Sequence, residues 1–449
     1  MLDTLILFVT HYLLTLVFLA LILVGIYFTL ISRFFQIKEL RKMASLLCFS
    51  KQKRASASPQ NLSPSSTVTP ADTITPAQAL WTAMSTTIGI GNIFGPIVAI
   101  AFGGPGAVLA YFFASLFGAV LTYSEVFLAL SSRRLTASGK IEGGPMCYIE
   151  SALGKSASIA YGCACAALLA AWSMSQSHTI SHMLVSWHVP PLAMSMTLAV
   201  LVMLFLYLGI TWIADLNTKM VPFMFVLYVT STTFIVASHY ERLPGVFTDV
   251  FSGFFNLKSM SSGAASYSLF ETLRWGFARA IQSNEAGVGT ATIPHSHSVH
   301  SNPRQQATLA MFSVYANGLI CILSALMMLV SDRYALLDPE SINVSIITDI
   351  FDDHFAIAGQ PIFFLISFLF GFGTILGNAY NGSCCFSYVT KERFSLLYIL
   401  CVGAGVGFGG LIDLKSAWSI IDYFIVPVIV INISSILVSA REKKNEMFS

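Results

Sequence analysis

Eleven apolar windows of about 20 residues or more recur along this chain, and they constrain it to a membrane-spanning helical bundle. They lie near residues 5–32, 77–102, 106–131, 157–186, 190–212, 217–238, 266–294, 306–331, 361–389, 393–413 and 416–439. A helix rises about 1.5 Å per residue, so roughly 20 residues cross a hydrocarbon core about 30 Å thick. Composition points the same way. Of 449 residues, 55% are apolar and 10% charged, against about 25% charged in ordinary soluble domains. The first window is too long for a cleaved leader and lacks a small-residue cleavage site followed by a soluble domain, so it counts as a span.

Lys and Arg fix the expected orientation. With eleven spans, eighteen of them fall on one side, including Arg33, Lys38, Arg41, Lys42, Arg133, Arg134, Lys140, Lys219, Arg304, Lys391 and Arg441. The other side holds Arg242, Lys258, Arg333 and Lys415. The positive-inside rule then puts the N-terminus outside and the C-terminus in the cytoplasm. The stretch "ASASPQNLSPSSTVTPADTITP" is too rich in Ser, Thr and Pro to bury apolar area and reads as a flexible tether. The chain thus divides into a leading helix (1–32), a flexible cytoplasmic linker (33–75), two five-helix blocks (76–262 and 263–440) and a short tail (441–449). The segment 332–360 is an acidic external loop with room for a short helix. The cysteines sit mostly inside apolar runs, which argues against a disulfide framework.

Two spans are interrupted in the same way. The second contains "TTIGIGNIFGP", with Gly89, Gly91, Asn92 and Gly95 near its middle, and the seventh contains "IQSNEAGVGTA", with Ser283, Asn284, Glu285, Gly287 and Gly289. A charged side chain at mid-bilayer costs about 2.5–3.5 kcal/mol on insertion scales, and each helical glycine about 1 kcal/mol more. Unwound backbone survives at that depth only where it lines a polar site. Half-helix N-termini then offer donors to an anion, and half-helix C-termini offer carbonyls to a cation. The breaks stand five spans apart, each opening a block of five helices. That is the pattern of an inverted-repeat secondary transporter. Close helix packing is the competing explanation for glycines, and Gly91 and Gly95 fit a small-xxx-small pattern too.

At "SNEAGVGTATIPH", "RWGFARAI", "TPAQALWTAMSTTIGIGNI", "AIAFGGPGAV", "EGGPMCYI", "KMVPFMFVLYV" and "FGTILGNAYNG" the chain resembles the alanine or glycine:cation symporter family, from about residue 75 to about 440. The resemblance implies an all-α polytopic fold of the leucine-transporter type: one leading helix, then a 5+5 inverted repeat with two broken helices, about 11 transmembrane helices in all. It implies sodium-coupled import of a small neutral amino acid across a bacterial inner membrane, with no cofactor beyond the coupling ion. By the same resemblance, the backbone at Gly89, Ile90 and Gly91 holds the substrate carboxylate. Gln176, Ser283, Asn284, Thr374 and Asn378 contact the substrate, and Asn92 and Asn317 offer oxygens to sodium. The chain departs from the family pattern at Ile90, usually threonine, at Asn317, usually aspartate, and at Asn378, Asn381 and Ser383, usually Trp, Tyr and Glu. Those changes shift the expected preference from alanine and glycine toward a more polar relative.

Other constellations weigh less. His178 and His182 share a helical face but lack a third metal ligand. Glu271 and Arg274 stand one turn apart and are expected to pair; Arg279 and Glu285 are candidates either to pair within the bundle or to form part of a gate. Glu125 and Asp422 are lone intramembrane acids, either proton carriers or helix-packing hydrogen bonders. A nucleophile-base constellation or a P-loop is not visible, so an enzyme and a primary pump are not expected. A proton-coupled amino-acid transporter or exchanger is the first alternative, with a channel or membrane sensor behind it. Expected partners are a small neutral amino acid, sodium and membrane lipid, without nucleic acid, and the oligomeric state is open.

Overall fold

The computed structural model describes residues 2–49, 73–136, 139–255, 269–299, 302–337, 344–412 and 414–448. Most of the predicted tether, 50–72, lies outside them. The chain is nearly all helical. In order come α1 (Leu2–Ile31), α2 (Phe35–Lys38), α3 (Leu40–Phe49), α4 (Pro76–Thr87), α5 (Gly91–Gly103), α6 (Ala107–Ser132), α7 (Pro145–Leu153), α8 (Lys155–Met183) and α9 (Pro191–Leu208). Then follow α10 (Ile210–Ser238), α11 (Leu243–Phe254), α12 (Leu269–Asn284), α13 (Thr292–Ser296), α14 (Pro303–Val330), α15 (Ser345–Phe355), α16 (Gly359–Thr390), α17 (Ser395–Phe408) and α18 (Leu414–Phe448). A two-stranded hairpin, β1 (Arg134–Leu135) and β2 (Ile141–Glu142), joins α6 to α7.

Each apolar window holds a helix or a broken pair. Eight helices among the described residues are long and apolar enough to cross a membrane, and α4 with α5 makes a ninth when the pair counts as one span. The sixth span begins earlier than hydropathy suggests, at Ile210 rather than 217. Gly209, at φ +87°, ends α9, and α10 starts on the next residue. Residues 35–49, read as the start of the linker, form α2 and α3, and α3 packs on α14. The acidic loop does contain a helix, α15.

Packing puts both broken spans at the centre. α5 lies against α12 and α14, α4 against α10 and α16, and α16 runs the length of α8. α9, α10 and α17 present Val200, Leu204, Phe223, Val226, Leu396 and Leu400 outward, exposed apolar side chains that suit lipid contact. α1 closes the bundle against α6, α12 and α18.

Candidate functional site

The first break follows from its residues. A Thr75–Gln78 capping box and Pro76 start α4. The β-branched run Thr86-Thr87-Ile88 followed by Gly89 ends it, and α5 restarts at Gly91 with the two axes bent by 42°. The carbonyls released at the end of α4 find side-chain donors. The Thr374 hydroxyl donates to Ser85 O and Ile88 O, both at 3.1 Å. Thr87 O accepts from Asn92 Nδ2 at 2.8 Å and from Asn317 Nδ2 at 3.0 Å. Gln176 Oε1 accepts the Ile90 amide at 3.3 Å.

The second break is longer, residues 285–291, and its backbone is held from outside. Glu285, Gly287 and Gly289 all take left-handed φ, at +52°, +86° and +93°. Asn432 of α18 donates to Gly287 O at 2.9 Å and to Glu125 Oε1 at 2.6 Å, while its own oxygen accepts from Tyr148 at 2.5 Å. Tyr161 donates to Val288 O at 2.7 Å and Asn381 to Thr290 O at 3.2 Å. Glu285 itself accepts from the Thr290 hydroxyl. The freed carbonyls of Gly287, Val288 and Thr290 thus each find a side-chain donor, as lipid depth demands. Glu125 takes part as a packing hydrogen bonder to α18.

Between the breaks lies a cavity of about 90 Å³. One water needs about 10–15 Å³ on this measure, so the space suits a solute of a few heavy atoms. Of the residues expected from the sequence, Gly89, Gly91, Asn92, Gln176, Ser283, Thr374 and Asn378 line it. Three do not. Ile90 is buried, with its side-chain tip packed beside Gly371 of α16. Asn284 turns to α6, donating to Ser115 at 3.4 Å. Asn317 stands behind the wall, where its Nδ2 also donates to Ser283 O at 2.6 Å.

The wall also contains residues that sequence reasoning passed over: Thr86, Thr87, Trp172, Ser175, Gln282 and Ile421. Their only sequence signal is position, next to a flagged residue or within one turn of it. Arg279 and Glu285 line the cavity as well. Arg279 donates to Gln282 Oε1 of the same wall at 2.9 Å, and Glu285 accepts from Thr290. Glu271 and Arg274 pair at 3.1 Å. His178 and His182 stack with ring centres 4.0 Å apart, and among the described residues no group of three His, Cys, Asp or Glu side chains could hold a metal.

The fold is that of a membrane transporter. It superposes on a sodium-coupled sialic acid symporter, captured substrate-bound and outward-open, with a TM-score of 0.52 and 12% identity, over 90% of this chain and 81% of that one. The model of the sodium:alanine symporter family matches residues 1–447, and the chain belongs to that family. Among its relatives are a sodium/alanine symporter of Methanococcus maripaludis, 29% identical over 77% of each chain. A transporter of Haemophilus influenzae is 29% identical over 89% of this chain and 85% of its own.

Proposed function

We propose that this protein imports a small neutral amino acid by sodium-coupled symport, with the cavity between the two breaks as the binding site. The observation that carries the reading is a convergence of carbonyls. Thr87 O, at the end of α4, and Ser283 O, near the end of α12, both aim at the single amide nitrogen of Asn317, at 3.0 and 2.6 Å. Two half-helix C-termini thus direct negative dipole ends at one point. A half-turn of the Asn317 amide replaces its hydrogens with Oδ1, and a sodium ion between that oxygen, Thr87 O, Ser283 O and Asn92 Oδ1 gains the neutral oxygen ligands a hard cation accepts.

The anion end is the start of α5. The backbone at Gly89, Ile90 and Gly91 leads into its first turn, and a substrate carboxylate there meets the positive end of a 13-residue helix. Gln176, Ser283, Thr374 and Asn378 surround the rest of the molecule, and Asn284, the next residue, is turned to Ser115 of α6. This reading takes the eleven windows as eleven spans in a 5+5 inverted repeat, with the N-terminus outside and the C-terminus in the cytoplasm of a bacterial cell.

Purified full-length protein in proteoliposomes tests it. An inward sodium gradient should accumulate a labelled neutral amino acid, and Asn92→Ala and Asn317→Ala should each raise the sodium concentration needed for half-maximal uptake. Uptake indifferent to sodium but driven by an acid-outside pH gradient would move the coupling to protons, with Glu125, Glu285 or Asp422 as the carrier.

A further inference from the structure

The polar groups around the cavity are mostly committed. The Thr374 proton goes to Ser85 O and Ile88 O, Gln176 Oε1 takes the Ile90 amide, and the Asn92 amide hydrogens turn to Thr87 O. Asn378 differs. It lies one turn beyond Thr374 on the same face of α16, lines the cavity and is 0% exposed, yet neither its Nδ2 nor its Oδ1 has a hydrogen-bond partner. An amide carries two donors and an acceptor with two lone pairs. Folded proteins rarely bury both ends of one unpaired, because each unpaired group forfeits the hydrogen bonds it had in water. A ligand that supplies the missing partners removes that loss on binding.

We propose that Asn378 sets the substrate class: the transported amino acid has an uncharged side chain presenting both a donor and an acceptor, a carboxamide foremost and a hydroxyl second. This rests on the cavity being the substrate site. A carboxamide pairs with both ends of Asn378 at once. A hydroxyl satisfies them less completely, and a methyl leaves both unmade. Charged side chains fit less well, since the neutral amide of Asn378 carries no charge to offset the cost of burying one. Sites built around hydrogen-bonding groups discriminate strongly against ligands that cannot complete them.

The test is binding to the purified full-length protein in sodium, read as the concentration dependence of the rise in melting temperature with L-alanine, L-serine, L-asparagine, L-glutamine and L-aspartate. Asparagine or glutamine should bind at least about tenfold more tightly than alanine, with serine between and aspartate weakest. Asn378→Leu, close in size and without polar atoms, should shrink the carboxamide-to-alanine affinity ratio about tenfold. Alanine binding best to the unaltered protein, which needs no variant to fold, would overturn the assignment. So would a ratio that Asn378→Leu leaves unmoved. Failure of every amino acid to bind, together with no sodium-driven accumulation, would instead bring down the symport reading on which the assignment stands.

Discussion

The two broken spans use glycine for different ends. In the first, neither Gly89 nor Gly91 takes a left-handed φ; the constraint is space. A Cβ on Gly89 would stand 2.8 Å from Thr374 Oγ1 and 3.1 Å from Gln176 Nε2, whereas one on Gly91 would meet nothing within 4 Å and project into open space at the cavity wall. In the second, Gly287 and Gly289 both have positive φ, and a Cβ on Gly289 would also stand 2.9 Å from Pro145 Cγ and Tyr161 Oη. A short break with ordinary dihedrals keeps its surface open to a ligand. A long break with left-handed residues is an architectural element whose carbonyls three side chains from other helices, Asn432, Tyr161 and Asn381, must hold.

Substitutions should separate the two roles, and the largest effect belongs to the second break. Gly289→Ala combines a left-handed alanine, about 1–2 kcal/mol, with overpacking of about 1–3 kcal/mol, so folded yield and melting temperature should both fall sharply. Asn432→Leu comes next. It strips partners from Gly287 O, Glu125 and Tyr148, each worth about 1–3 kcal/mol when left buried and unpaired. Melting temperature should drop, and Asn432→Ser or Asn432→Gln should recover part of it if hydrogen bonding is the cause. Gly89→Ala should cost about 1–3 kcal/mol and displace the Thr374 hydroxyl, lowering stability and substrate affinity together. A Gly89 variant that melts as the native protein and transports normally would remove the spatial argument for the first break.

Much of this was legible in the residues, because membrane spans announce themselves by length and composition and breaks by glycine beside polar side chains. Seven of the ten expected site residues line one cavity; Gly89, Gly91, Asn92 and Ser283 follow from where a helix must stop, whereas Gln176, Thr374 and Asn378, inside unbroken helices, follow from the family resemblance alone. The residues that the sequence could not place owe their positions to tertiary contacts. Asn432 reads as an ordinary polar residue in an apolar run, and nothing local says it serves Gly287 from 145 positions away. Ile90 stands where the family usually has threonine, but its side chain packs beside Gly371 and does not line the cavity. Asn317 was expected beside the ion through its oxygen, whereas its nitrogen faces the two carbonyls. Amphipathic α3 and the hairpin at 134–142 escaped because short polar-flanked elements carry no hydropathy signal of their own.

The central claim is that the first break is a ligand surface, and Gly91→Ala tests it most directly. The added methyl meets no protein atom within 4 Å, so melting temperature without substrate should stay level or rise by the small amount a glycine-to-alanine change contributes, about 0.4–1 kcal/mol. Sodium-driven amino-acid uptake by the same preparation should fall several-fold through a raised KM, because the methyl occupies the approach to the α5 N-terminus. Uptake that persists unchanged while stability is intact, or stability and uptake that fall in step, would contradict the claim and return Gly91 to helix packing.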